Sequence, residues 1–169
     1  MIRTGVKYLL AAAVASALGL TWMAPANADT VTSTTTCTNP FTAAQAGPSS
    51  FDVGIPPTAA VGDTVQVTVA FTFTNNSGFD LSDLNTFSQT IATTGTATNP
   101  VTVTAGSQGA LANGSSVTVT ESGTWTADEA GTATFTLGTF TFDIVAFGIT
   151  VPVSCTYDST PAAVSTVVS

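Results

Sequence analysis

The sequence predicts an all-β protein, a β-sandwich of about seven to nine strands, and three observations point there. Thr, Val, Ala, Ser and Gly dominate residues 29–169, which include 33 Thr and no Met. β-branched side chains pack well on a pleated surface and lose freedom in a helix. Apolar and polar residues alternate with period 2 in one run after another, the pattern of strands with one buried face. Clusters of Gly, Asn, Asp and Pro separate these runs, and no 3.6-residue apolar stripe competes with them.

Residues 1–28 read as a cleaved export signal. Arg3 and Lys7 make a positive start, Tyr8 to Met23 is apolar, and Ala26-Asn27-Ala28 supplies small residues before Asp29. The apolar run is about 16 residues, short of the roughly 20 that a membrane span needs. The expected product is therefore secreted, extracellular or cell-wall associated, with no span after signal cleavage. A Thr-rich lead, 29–36, precedes the first strand around Cys37.

Val65, Val67, Val69, Phe71 and Phe73 then define the inner face of a strand whose outer face is Gln66, Thr68, Ala70 and Thr72. Val101 with Val103 and Val117 with Val119 repeat the pattern. Ala133, Phe135 and Leu137 occupy odd positions, but after Gly138 the parity flips to Phe140, Phe142 and Ile144. A change of face beside Gly predicts a bulge or sharp bend. The last strand carries Ile149, Val151, Val153, Cys155 and Tyr157 on one face, which turns Cys155 inward. Turns are expected at Val61-Gly62-Asp63, Asn75–Gly78, Thr98-Asn99-Pro100, Asn113-Gly114 and Glu129-Ala130-Gly131. Asp80 to Asn85 is the one plausible short helical turn. Residues 29–157 form one domain, and 158–169, rich in Ser and Thr, read as a disordered C-terminal tail.

Export places the chain in an oxidising space, where its two cysteines, Cys37 and Cys155, are most simply one disulfide clamping the ends of the domain. Closing a loop on the order of 100 residues is worth roughly 4 to 5 kcal/mol in the chain-entropy model. Both basic residues belong to the signal, so residues 29–169 hold ten carboxylates and no Lys, Arg or His. Binding nucleic acid by phosphate neutralisation, catalysis by a His or Lys base, and phosphate clamping all need the missing residue types.

The stretch Ala60-Val61-Gly62-Asp63-Thr64-Val65, with its strand and Asn-rich turn, resembles the opening of bacterial immunoglobulin-like surface domains. Leu111-Ala112-Asn113-Gly114-Ser115-Ser116-Val117, followed by Ala130-Gly131-Thr132-Ala133, resembles their second half. The chain from 36 to 157 is also similar to secreted actinobacterial β-sandwich domains of unknown function, which open with a strand like Thr36-Cys37-Thr38 and close on a Cys. The resemblance implies an immunoglobulin-like sandwich and an envelope setting. It transfers no catalytic residue.

A serine nucleophile here has no base to deprotonate it, and the carboxylate pairs Asp80/Asp83 and Asp128/Glu129 lie in turns, where charge is simply solvated. No enzyme is expected and no catalytic residue is assigned. Two binding alternatives carry named residues. Asp80, Asp83 and Asn85 form an oxygen-rich loop for calcium, which favours clustered oxygens. Trp125 is the one tryptophan outside the signal, and an exposed ring would stack on a sugar, although its odd register favours the core. The leading expectation is a non-catalytic structural or interaction module of the cell envelope or extracellular space, whose partner is an envelope protein or a glycan. A carbohydrate- or calcium-binding module is the alternative.

Overall fold

The computed structural model describes residues 27–41 and 43–169. The export-signal reading of the chain up to residue 26 lies outside the described residues; Asn27 and Ala28, assigned to its cleavage site, begin the first strand. Ten strands follow in order: β1 (Asn27–Thr38), β2 (Gln45–Ile55), β3 (Thr58–Ala59), β4 (Thr64–Thr74), β5 (Asp83–Gly95), β6 (Val101–Ala105), β7 (Ser116–Thr126), β8 (Gly131–Ala146), β9 (Ile149–Tyr157) and β10 (Val164–Val168).

The protein is all-β, but the expected immunoglobulin-like sandwich does not form. The strands run β8-β5-β6-β7-β4-β2-β1-β9, and β9 pairs back onto β8, so eight antiparallel strands close into a barrel. A sandwich and a barrel share the same inside-outside alternation, so period 2 cannot separate them. What decides is the pairing of β9 with both β1 and β8.

β8 makes closure possible. One edge pairs along its length with β5. The other edge splits, its first part taking β10 and its last part β9. The strand bends where the parity flip predicts. Register shifts between Gln89↔Phe140 and Ile91↔Leu137, which leaves one extra residue in β8 at Gly138. A Cβ at Gly138 would lie 2.5 Å from the Thr90 carbonyl oxygen, so the bend needs glycine. A second bulge follows from Thr86, which stands in the left-handed region (φ 56) where β5 shifts against β8.

Two expectations at the edges change. The tail is ordered at its end: Val164, Thr166 and Val168 point inward and are buried, and β10 pairs with β8 and, in parallel, with β3. Alternation in this short stretch is the signal that composition masked. The helical turn expected at Asp80–Asn85 is instead a bridge at Leu81↔Leu111 leading into β5.

The barrel interior is filled by the odd-numbered apolar positions foreseen on β4, with Val67, Val69 and Phe71 buried, and by a cluster of rings around Phe51, Phe71 and Phe140. The outward positions of β4 are Gln66, Thr68, Ala70 and Thr72, a polar wall around an apolar interior. A membrane-spanning barrel has the reverse arrangement.

Candidate binding end of the barrel

Strand direction alternates around the barrel, which brings four connections to one end. They are the described parts of the β1–β2 connection (39–41 and 43–44), 75–82 (β4 to β5), 106–115 (β6 to β7) and the turn 147–148 (β8 to β9).

Local chemistry stiffens this end. Asn75 is buried, and its Nδ2 donates to the carbonyls of Phe79 (2.8 Å) and Leu111 (3.0 Å). Its Oδ1 accepts from the Ser77 amide and hydroxyl. Asp80 Oδ1 accepts from the Asn113 amide at 2.8 Å. Asp83 Oδ1 accepts from Ser107 Oγ (2.7 Å) and the Gly109 amide (2.9 Å), and its Oδ2 from Asn85 Nδ2 (3.0 Å). Donation by Ser107 is the main reason the Asp83 carboxyl is held below its ordinary value.

Of the three residues considered for calcium, Asp83 and Asn85 are in contact, but Oδ1 of Asp80 and Oδ1 of Asp83 each accept from donors that tie the 106–115 connection down. Among the described residues no group of three His, Cys, Asp or Glu is placed to hold a metal. Trp125 is buried, edge-on to Phe135 with ring centroids 5.2 Å apart, and so belongs to the core rather than to a sugar platform. Cys37 and Cys155 form the disulfide, which staples β1 to β9. That bond fits an oxidising, extracellular environment.

Sequence reasoning missed what this end displays. Phe147 is 78 % exposed, Phe41 70 %, Ile149 57 % and Phe79 39 %. All four lie at the same barrel end, on three different connections and the first residue of β9. The Phe147 and Phe79 rings touch at 5.2 Å, inclined by 48°. Phe147 occupies the first position of the two-residue β8–β9 turn, with φ 53, and Gly148 follows with φ 75. Two-residue hairpin turns of that shape favour Asn, Asp or Gly. The legible signal was a phenylalanine inside each of three turn-forming stretches, where polar residues are the rule.

Beside this end the wall is split. β2 pairs with β4 only from Phe51↔Phe71 to Gly54↔Thr68, although β2 begins at Gln45 and β4 continues to Thr74. The split opens a cleft of about 330 Å³. One side is small and hydroxylated, with Thr35 and Ser49 hydroxyls 2.6 Å apart; the other is formed by Phe71, Phe73, Phe140 and Phe142. The free part of the β2 edge carries Pro48, which has no N–H to offer an incoming strand.

Deeper in the barrel lies an unexpected polar group. Glu121 is 0 % exposed, and neither carboxyl oxygen has a hydrogen-bond partner among the described residues. Burial pushes its carboxyl up to about 8. Burial also raises the Tyr157 phenol, and the Glu121 charge adds to that. Gln89, likewise buried, donates from Nε2 to Tyr157 Oη (2.7 Å) and the Gly138 carbonyl (3.1 Å), while its Oε1 has no partner among the described residues. Glu121 follows Val117 and Val119 in odd register, so parity alone points it inward.

Fold and end together define a class: a disulfide-stapled, closed eight-stranded antiparallel β-barrel with a polar wall and an aromatic loop end. Comparison with known protein families, with characterised proteins and with solved structures finds no match for this chain. No helix among the described residues is long and apolar enough to cross a membrane.

Proposed function

We propose that the chain is an exported, non-catalytic interaction module of the cell envelope or extracellular space, and that it makes its contacts through the loop end of the barrel. One observation carries this reading: the three exposed phenylalanines named for the described residues, Phe41, Phe79 and Phe147, are all gathered at that end. Apolar side chains grouped outside the core mark contact surfaces, whereas isolated ones do not. The lack of His, Lys and Arg in residues 29–169 supports the non-catalytic part, since no hydroxyl there has a His or Lys to activate it.

The test is retention of material from the native envelope fraction by the immobilised exported protein. Wild type is expected to retain a defined component that Phe41→Ser/Phe79→Ser/Phe147→Asn does not. Equal retention by both would overturn the reading.

A second reading, carbohydrate binding, is favoured by the cleft between β2 and β4. Its hydroxyl side and aromatic side match the polar edge and apolar face of a sugar ring. Co-sedimentation with cellulose, chitin or peptidoglycan, lost on filling the cleft with Ser49→Trp, is the expected outcome; no co-sedimentation removes it.

A further inference from the structure

We propose that the loop end of the barrel docks on a lipid surface with uncharged headgroups, with Phe147 as the leading side chain. This rests on the reading of that end as the contact surface and names what it contacts.

Shape is the first argument. The apolar side chains stand on three separate connections and the start of β9, and none of them lines the cleft between β2 and β4. A fluid apolar surface accepts knobs from separate loops without a matching socket. The two rings in contact are inclined by 48°, so they do not form the flat platform on which a sugar chain stacks.

Backbone conformation is the second. The left-handed φ of 53 at Phe147 opposes the steric preference of a side chain with a Cβ. An Asn or Gly would fit this turn better, so the phenyl ring is held outward at a cost in stability. Strain of this kind points to a role for the side chain beyond folding.

Charge chooses the surface. Residues 29–169 bring ten carboxylates and no Lys, Arg or His, so an anionic bilayer and a second copy of this chain both repel the protein. Two carboxylates at this end, Asp80 and Asp83, accept from N–H and hydroxyl donors of the 106–115 connection. The polar outer wall confines contact to the end, so insertion is shallow, roughly 5–10 Å, as for other interfacial anchors.

The experiment is flotation of the exported protein with phosphatidylcholine vesicles. Wild type is expected to float with them, and adding phosphatidylglycerol should weaken binding at low salt, with salt restoring it. Phe147→Asn should bind about tenfold more weakly while melting at a higher temperature, which separates lost docking from lost folding. Phe41→Ser/Phe79→Ser/Phe147→Asn should not float, whereas Val61→Ser, at the opposite end, should float like wild type. Absence of wild-type flotation, or flotation of the triple variant, overturns the lipid inference. If native envelope material is still retained by wild type and lost by the triple variant while vesicles are not bound, the contact surface stands and its partner is not a lipid.

Discussion

Cys37 and Cys155 face each other as directly paired residues of β1 and β9, their Cα atoms 4.0 Å apart. The two strands pair only from Thr35↔Tyr157 to Thr38↔Ser154, so the disulfide sits in the short seam that closes the barrel. A bond placed there ties the first strand to the ninth across 118 residues of sequence. Removing it with Cys37→Ala/Cys155→Ala should cost about 3 to 5 kcal/mol in urea unfolding. Hydrogen exchange in that variant should rise first in β1 and β9. Uniform exchange across the barrel would show that the seam is held by something else.

The pH dependence of stability should be governed by Glu121. Its carboxyl titrates at about 8 in the folded chain against an ordinary 4.5. A raised acid stabilises the fold fully below the lower value, and that contribution is lost as pH rises through the higher one. Between the two, each pH unit costs up to about 1.4 kcal/mol. Melting temperature should therefore fall from pH 5 to pH 8, and Glu121→Gln should flatten the curve. The groups facing Glu121 do not reverse this sign, because Tyr157 is raised far beyond that window and Gln89 does not titrate. A wild-type melting temperature independent of pH over this range would contradict the assignment. Asp83, held below its ordinary 3.8, acts in the opposite sense only in more acidic solution.

Phe147→Asn should stabilise the protein by about 1 kcal/mol, since it relieves a left-handed residue in a two-residue turn. Calorimetry checks this. A lower melting temperature would mean that the ring contact with Phe79 outweighs the backbone cost.

Gly138→Ala should destabilise by about 1 to 3 kcal/mol, because its Cβ would meet the Thr90 carbonyl oxygen at 2.5 Å in the bulge. Gly106→Ala, where nothing lies within 4 Å, is the matched control and should change stability little. Equal behaviour of the two in denaturant melts would argue against a bulge that needs glycine.

Much of the barrel was legible residue by residue. The inner faces of β4 and β7, the bend at Gly138 and the inward aim of Cys155 all follow from parity, because a strand side chain has only two directions to choose from. Composition misled where it was used in place of parity. The Ser- and Thr-rich C-terminus reads as a tail, yet Val164, Thr166 and Val168 alternate and bury themselves beside β8. Asp80, Asp83 and Asn85 look like a cation loop as a cluster of oxygens. Their hydrogen bonds to Asn113, Ser107 and Gly109 involve a connection more than twenty residues away, which local reading cannot supply.

The sequence alone determined that this protein is all-β, which side chains strands such as β4 and β7 turn inward, and that residues 29–169 have no Lys, Arg or His for catalysis or nucleic-acid binding. Tertiary structure alone decided that the sheet closes, that Glu121 is fully buried with no hydrogen-bond partner among the described residues, and that Phe41, Phe79 and Phe147 share one end. The division has a physical reason. Local sterics and hydrophobic alternation act within a few residues. Closure, burial of a charge and the grouping of loops depend on which distant strands find each other, and β1, β8 and β9 settle that only by pairing.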